Sequence, residues 1–310
     1  MDERSKAMQA MIPSLASATD IHRITEGFSS DHKYLVRYHN GQKLLLRTAD
    51  IAHYERKSAE YHIMRSIKPY GAKSPLPLEF GKVEALGLCY YLLSYIEGED
   101  ARKTLPTYTT QEQYRIGWEA GRDLERLHQL PAPPSTPDWY DHIMKKHDRY
   151  LTAYQTCGVK LENDRQIIRF IEENEYVLKD RPNQFQHDDF HVGNIIVNER
   201  AYAGIIDFNR YDWGDPLFDF SKLALFSKEC SVPFAKGQID GYFAHQPIPE
   251  HFWTLYAIYA AMSVFSAIVW SVKETPDKVE EMRQRLHNLC VDHQYFESCI
   301  PVWYSNGLKE

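Results

Sequence analysis

The chain has 310 residues, 43% of them hydrophobic and 13% aromatic, which excludes a disordered chain and leaves room for two packed units. Its formal charge of −7 argues against a nucleic-acid or anionic-membrane partner. Five cysteines, an odd number without C-x-x-C spacing, point to reduced thiols in a cytosolic compartment, not to a disulfide framework or a zinc site.

The start, MDERSKAMQAMIPS, opens on charged residues without an apolar segment, so no secretory signal is expected. Charge is unevenly placed: residues 1–97 hold 13 Lys+Arg against 11 Asp+Glu, and residues 98–310 hold 23 against 32. That drift would suit an anionic cofactor on the first part and a cationic substrate on the second.

Taken in chain order, the first hundred residues read as strands with one helix. Residues 34–38 and 43–47 flank His39-Asn40-Gly41-Gln42, and Asn-Gly between two apolar runs predicts a hairpin whose two turn residues both take positive φ. A helix is expected from Ile51 to Ile67, with Tyr54, Tyr61 and Met64 near one face. Strands are expected around 79–84 and 88–96. From Gln111 the pattern turns helical through His128, a proline-rich loop follows at 131–137, and helices are expected at 139–156 and 163–178. Short apolar runs at 195–197 and 204–206 predict a second hairpin, and the rest, after Pro216, reads as helical. Residues 252–272 carry no charge and are long enough to span a bilayer, but the scattered Ser, Thr and Tyr and the absence of a flanking basic cluster favour a buried helix. The break between a small β-rich part, 1–97, and a larger helical part, 98–310, falls at Glu97-Gly98.

The chemistry-bearing residues bracket the second hairpin. His187-Asp188-Asp189-Phe190-His191-Val192-Gly193-Asn194 precedes its first strand, and Ile205-Ile206-Asp207-Phe208 ends its second. Asp189, Asn194 and Asp207 at one rim supply two carboxylates and an amide oxygen, the hard donors that Mg²⁺ prefers. Phosphoryl transfer needs such a site and an acceptor hydroxyl held in line, and an H-x-D-x-x-x-x-N loop followed by a strand ending in Asp provides both.

This loop resembles that of the aminoglycoside phosphotransferase-like kinases, a family sharing the protein-kinase fold. Residues 204–208 followed by Gly214-Asp215-Pro216-Leu217-Phe218-Asp219-Phe220 are similar to its metal-binding strand and G-D-P-x-x-D element. The likeness runs over roughly residues 20–225 and implies an α+β, bilobal, protein-kinase-like fold. It makes Asp189 the catalytic residue, and Asn194 and Asp207 the ligands of Mg²⁺. Gly27-Phe28-Ser29-Ser30 resembles the phosphate-covering loop, with Ser29 at the nucleotide. Glu60 stands where the family has the acidic partner of a phosphate-binding cation. Residues 92–98 resemble the hinge, where backbone groups of Ser94 and Ile96 would meet the base of ATP or GTP.

Two departures stand out. Arg47 occupies the position of the usual phosphate-binding lysine, with Lys43 and Arg37 as alternatives, and Asp188 stands where glycine is common. Asp188 either points away or attracts a cationic substrate. His187 and His191 are expected to be hydrogen-bonded scaffolding, and Asp215 and Asp219 to cap or brace the following helix. The resulting expectation is a cytoplasmic, Mg²⁺- and nucleotide-dependent kinase acting on a hydroxyl of a small, amine-bearing molecule, with no nucleic-acid or membrane partner. The alternative is a catalytically idle nucleotide-binding module acting through partners, which Arg47 and the glycine-poor loop would suit.

Overall fold

The computed structural model describes residues 2–25, 31–244 and 246–306, in two compact units divided between Glu97 and Gly98. The first contains α1 (Glu3–Met11), β1 (Ala18–Ile24), β2 (His32–Tyr38), β3 (Lys43–Asp50), α2 (Tyr54–Ile67), β4 (Pro77–Val83) and β5 (Leu88–Ser94). The five strands form one sheet in the order β1-β2-β3-β5-β4, antiparallel throughout. The sequence suggested a single helix here. It missed α1 because only Ser5 and Met8 of its nine residues are buried, too few to show a helical period. Met8, Ile12, Ile21, Val36, Leu46 and Leu92 share one core, each apolar side chain contributing about 1.5–3 kcal/mol on full burial.

The β2–β3 hairpin forms, but its turn differs from the expected one. Tyr38 N–H bonds to the Gln42 carbonyl and Gly41 N–H to the Tyr38 carbonyl, both at 3.0 Å, so the loop has three residues and only Gly41 (φ 83°) is left-handed. Asn40 instead accepts the Gln42 N–H on its side chain, at 3.0 Å. This is a three-residue hairpin connection ending on a left-handed glycine.

The second unit runs β6 (Glu99–Asp100), α3 (Ala101–Thr104), α4 (Thr110–Leu127), α5 (Trp139–Thr156), α6 (Asp164–Asn174), β7 (Gln184–Gln186), β8 (Ile195–Asn198), β9 (Ala201–Ile205), β10 (Asp212–Gly214), α7 (Phe220–Lys222), α8 (Lys228–Cys230), α9 (Val232–Tyr242), α10 (Glu250–Glu274), α11 (Val279–Asp292) and α12 (Val302–Ser305). A capping box at Thr109 and Glu112 starts α4. Helix α10 is long and apolar enough to cross a membrane, yet 78% of its most apolar window is buried inside the protein, where it packs on α5, α6 and α11. Two of its polar side chains are bonded internally. Tyr259 Oη accepts from Trp139 Nε1 at 2.8 Å, and Ser263 Oγ donates to the Ala260 carbonyl at 2.7 Å.

Two strand pairs set up the site. Strands β8 and β9 pair antiparallel from Ile195↔Ile205 to Asn198↔Ala201, and β7 pairs with β10 from Gln184↔Gly214 to Gln186↔Asp212. The second pairing lays the chain entering the His187–Asn194 loop beside the chain entering the Gly214–Phe220 element.

Helices α4 and α9 cross through glycines: Gly117 faces the Phe234 carbonyl, Gly121 that of Gln238, Gly237 that of Tyr114 and Gly241 that of Trp118. A Cβ at any of the four would strike backbone, which cannot rotate away, so the helices would have to separate. Gly121→Ala is expected to lower stability by about 1–3 kcal/mol, read as a lower thermal midpoint by circular dichroism despite alanine's better helix propensity.

Candidate active site

The loop from His187 to Asn194 is shaped by one buried carboxylate. Asp219 is fully buried and accepts the backbone N–H groups of His187 (2.8 Å) and Asp188 (2.7 Å) on its two oxygens. His128, at the end of α4, donates Nε2–H to the same side chain at 3.0 Å. The other ring nitrogen of His128 lies 3.0 Å from Tyr242 Oη; burial pushes the Tyr242 phenol far above its ordinary range, so it remains an O–H donor. Of the two roles expected for Asp219, capping or bracing the following helix, capping is not found: its side chain makes no cap bond to α7 and reaches back to the loop instead. Asp215 does cap, accepting the Leu217 N–H at 3.0 Å, and it also receives Arg181 Nε (2.6 Å) and Tyr259 Oη (2.7 Å).

Both loop histidines are scaffolding. His187 accepts the Asp189 N–H on Nδ1 (3.3 Å), which leaves Nε2–H for the Ile206 carbonyl (3.1 Å). Burial lowers its pKa against the pull of Asp219, Asp189 and Asp207, which keeps the ring neutral. His191 accepts the Gly193 N–H on Nδ1 at 3.0 Å and so turns Nε2–H toward Asp189 Oδ1, 3.5 Å away.

Asp189 and Asn194 are brought together. The Asn194 amide nitrogen donates to the Asp189 carbonyl (2.9 Å) and to Asp189 Oδ2 (3.2 Å). With its nitrogen committed twice, Asn194 presents its amide oxygen to the other side. The Ile206 N–H bonds to the Asn194 carbonyl at 2.9 Å, which sets Asp207, left-handed at φ 71°, at the same end of the hairpin. Burial is the largest influence on Asp189 and raises its pKa. The hydrogen bond from His191, with the charges of Lys222 and Arg210, outweighs it and holds the carboxyl well below the usual carboxylate range.

The implied Mg²⁺ can be tested against this donor set. Among the described residues no three His, Cys, Asp or Glu side chains converge as a cage. What the two ends of the hairpin offer is the Asp207 carboxylate and the Asn194 amide oxygen. That fits Mg²⁺, which is held by one or two protein oxygens, with water and substrate phosphates completing its octahedron.

Arg47 and Glu60 also come together, in the first unit. Arg47 lies at 3.5 Å from Glu60 and at 2.9 Å from Asp31, and it stacks 5.6 Å above the Tyr91 ring. Lys57, which the sequence reading missed, sits between the same two carboxylates, 2.5 Å from Asp31 and 2.8 Å from Glu60, and is only 2% exposed. Tyr91 donates its hydroxyl to Glu60 at 2.5 Å. Lys43 and Arg37 are surface residues paired with Glu97 and Asp20, so Arg47 is the buried cation among the three. The signal for Lys57 was its i, i+3 spacing to Glu60. Ser29 lies outside the described residues. Ser94 ends β5 with its N–H on the Leu76 carbonyl (2.9 Å) and its hydroxyl accepting the Leu76 N–H (2.8 Å), while Ile96 follows beyond the strand.

Asp188, left-handed at φ 53°, does not point away from charge: Oδ2 is 3.7 Å from Lys146 on α5, and Oδ1 is buried without a hydrogen-bond partner. Burial, the largest effect, raises its pKa against Lys146 and Lys222. Removal of Asp219 tests the frame. Asp219→Ala leaves two backbone donors and the His128 Nε2–H unpaired and is expected to cost about 3–5 kcal/mol, measured by urea unfolding.

A comparison with curated proteins finds no match. Among solved structures, the chain is similar to aminoglycoside phosphotransferase APH(4)-Ia in a ternary complex with ADP and hygromycin B (TM-score 0.67, 15% identity, 92% of this chain and 97% of that one). It is also similar to the GDP complex of aminoglycoside 2'-phosphotransferase-IIIa (TM-score 0.66, 14%, 94% and 98%). The gentamicin complex of APH(2")-IIa matches as well (TM-score 0.62, 16%, 93% and 96%). At these identities the likeness carries the fold, which is the expected α+β, protein-kinase-like one. A family model described as the phosphotransferase enzyme family matches residues 20–252, and the chain belongs to that family.

Proposed function

We propose that the protein transfers the terminal phosphoryl group of ATP or GTP, with Mg²⁺, to a hydroxyl of a small amine-bearing molecule, aminoglycosides being the first class to test. The observation that carries this reading is the double commitment of the Asn194 amide nitrogen to Asp189, because it ties the orientation of a metal-binding oxygen to that of an ionised carboxylate. An idle module would need neither.

In this reading the acceptor oxygen attacks the γ-phosphorus, the bond to the bridging oxygen of the nucleoside diphosphate breaks, and the hydroxyl proton passes to Asp189. A carboxyl held this far down is a weak base, so Asp189 orients the hydroxyl first and takes its proton late, which suits the loose transition state of phosphoryl transfer. Mg²⁺, held by Asn194 and Asp207, would supply positive charge to the phosphate oxygens. Arg47 is the proposed phosphate contact of the first unit, with Glu60 and Tyr91 fixing its place; residues 1–97 would bind nucleotide and residues 98–310 the acceptor. Ser94, whose N–H is used by Leu76, would offer the base its carbonyl, and Ile96 its backbone groups. Ser29 belongs to the proposed phosphate-covering loop.

Support for an amine-bearing acceptor comes from two loosely paired carboxylates, Asp188 beside Asp189 and Asp212, whose charge acts on Asp188. Asp188 has Lys146 at 3.7 Å, and Asp212 has His142 at 3.6 Å. An acceptor ammonium can compete for either. Lys146, Lys222 and Arg210 temper the negative charge, so one or two amines suit the site better than many.

The test is a phosphate-transfer screen over aminoglycosides, amino sugars and choline with MgATP and MgGTP. Asp189→Asn is expected to lower kcat by at least about 10²-fold while the thermal midpoint is retained. Nucleotide turnover without transfer to any of these compounds would place the acceptor outside the amine-bearing class. Absence of any nucleotide turnover would favour the idle module.

A further inference from the structure

Beyond Asp219 the chain continues as a helix of irregular pitch: α7, then a π-helical turn from Leu223 to Ser227, then α8. Lys222, Leu223, Ser227 and Lys228 all keep right-handed helical angles, so the irregularity is a change of pitch and not a break. A π-turn accommodates one extra residue, which rotates the downstream helix by about 100° relative to a regular one of 3.6 residues per turn.

Two consecutive side chains at the end of this turn meet two consecutive residues of the catalytic loop. Ser227 is fully buried, and its Oγ accepts the Val192 N–H at 3.2 Å. The Phe226 ring lies 5.0 Å from the His191 ring at an interplanar angle of 39°, with the Arg285 guanidinium 5.1 Å from its centroid. His191 and Val192 stand between Asp189 and Asn194, and His191 is the residue whose Nε2–H faces Asp189. Without the extra residue, Phe226 would fall where Ser227 now stands and Leu225 where Phe226 does. Neither could accept the buried Val192 N–H.

We propose that the π-turn Leu223–Ser227 is a positioning element for phosphoryl transfer: Ser227 and Phe226 fix Val192 and His191, and through them the Asp189 carboxylate and the Asn194 amide. The assignment rests on the phosphotransferase reading above and adds residues outside the H-x-D-x-x-x-x-N and G-D-P-x-x-D motifs. Single π-turns within α-helices occur often at functional sites, and a misplacement of about 1 Å can cost about 10²-fold in rate.

The experiment measures inorganic phosphate release from MgATP and MgGTP, with water as the acceptor, for the full chain and three variants. Ser227→Ala is expected to lower kcat at least tenfold with the nucleotide KM within twofold, and Ser227→Thr, which keeps the hydroxyl, to recover most of the rate. Phe226→Leu, at a half-exposed position that tolerates change, is expected to lower kcat in the same way. Hydrogen exchange of the Val192 amide in Ser227→Ala is expected to speed up relative to the α10 amides. Wild-type kcat in both Ser227→Ala and Phe226→Leu would overturn the positioning role and leave the phosphotransferase reading standing, as would a loss matched by an equal rise in nucleotide KM. No Mg²⁺-dependent release from the unaltered protein would overturn both.

Discussion

The arrangement of the catalytic loop depends on the Asp219 carboxylate. It is fully buried, and a buried carboxylate is tolerable only when its oxygens are saturated with donors. Here the donors are two consecutive loop N–H groups and His128, from chain segments about thirty and 91 residues away. Because the cost of leaving that charge unpaired is several kcal/mol, the loop cannot drift without exposing it. The left-handed conformation of Asp188 is a consequence, since the chain must present the N–H groups of 187 and 188 to one carboxylate and then reverse toward Asp189.

From that fixed point the site is assembled by short-range bonds. His187 ties Asp189 N–H to the Ile206 carbonyl, Ile206 N–H returns to the Asn194 carbonyl, and Asn194 grips Asp189. Asp189 and Asn194 thus hold each other, and the π-turn meets the same loop from the far side. In the first unit the same economy appears in a different form. Arg47 and Lys57 are balanced by Asp31 and Glu60, so the group is neutral as a whole, and its four charges, 2–5% exposed, are paired at close range. Asp31 touches both cations.

Much of this was legible in the sequence because the motif is local. Asp189 and Asn194 are five residues apart, and two apolar runs signalled the hairpin that puts Asp207 at the same end as Asn194. Helices with strong apolar periodicity, α4 and α5, appeared where expected. What failed to show was decided at a distance. The helix-cap reading of Asp219 was sound local chemistry, defeated by a loop 31 and 32 residues earlier and by His128. Lys57 went unnoticed, since nothing near it in sequence announces the burial of Asp31 beside it. The π-turn has no compositional signature at all: Leu-Ala-Leu-Phe-Ser reads as ordinary helix. The two-residue turn at Asn40-Gly41 was wrong by one residue, a register detail that pairing of β2 with β3 decides.

The most direct test of the central claim, that Asn194 and Asp207 hold a divalent cation beside the ionised Asp189, is calorimetric titration of the protein with ATP and GTP in the presence and absence of Mg²⁺. The account predicts that nucleotide binds at least about tenfold more tightly (~1.4 kcal/mol) with Mg²⁺, and that Asp207→Asn removes that difference while leaving the metal-free affinity in place. Equal affinity with and without Mg²⁺ in the unaltered protein, or a full Mg²⁺ effect in Asp207→Asn, would contradict it.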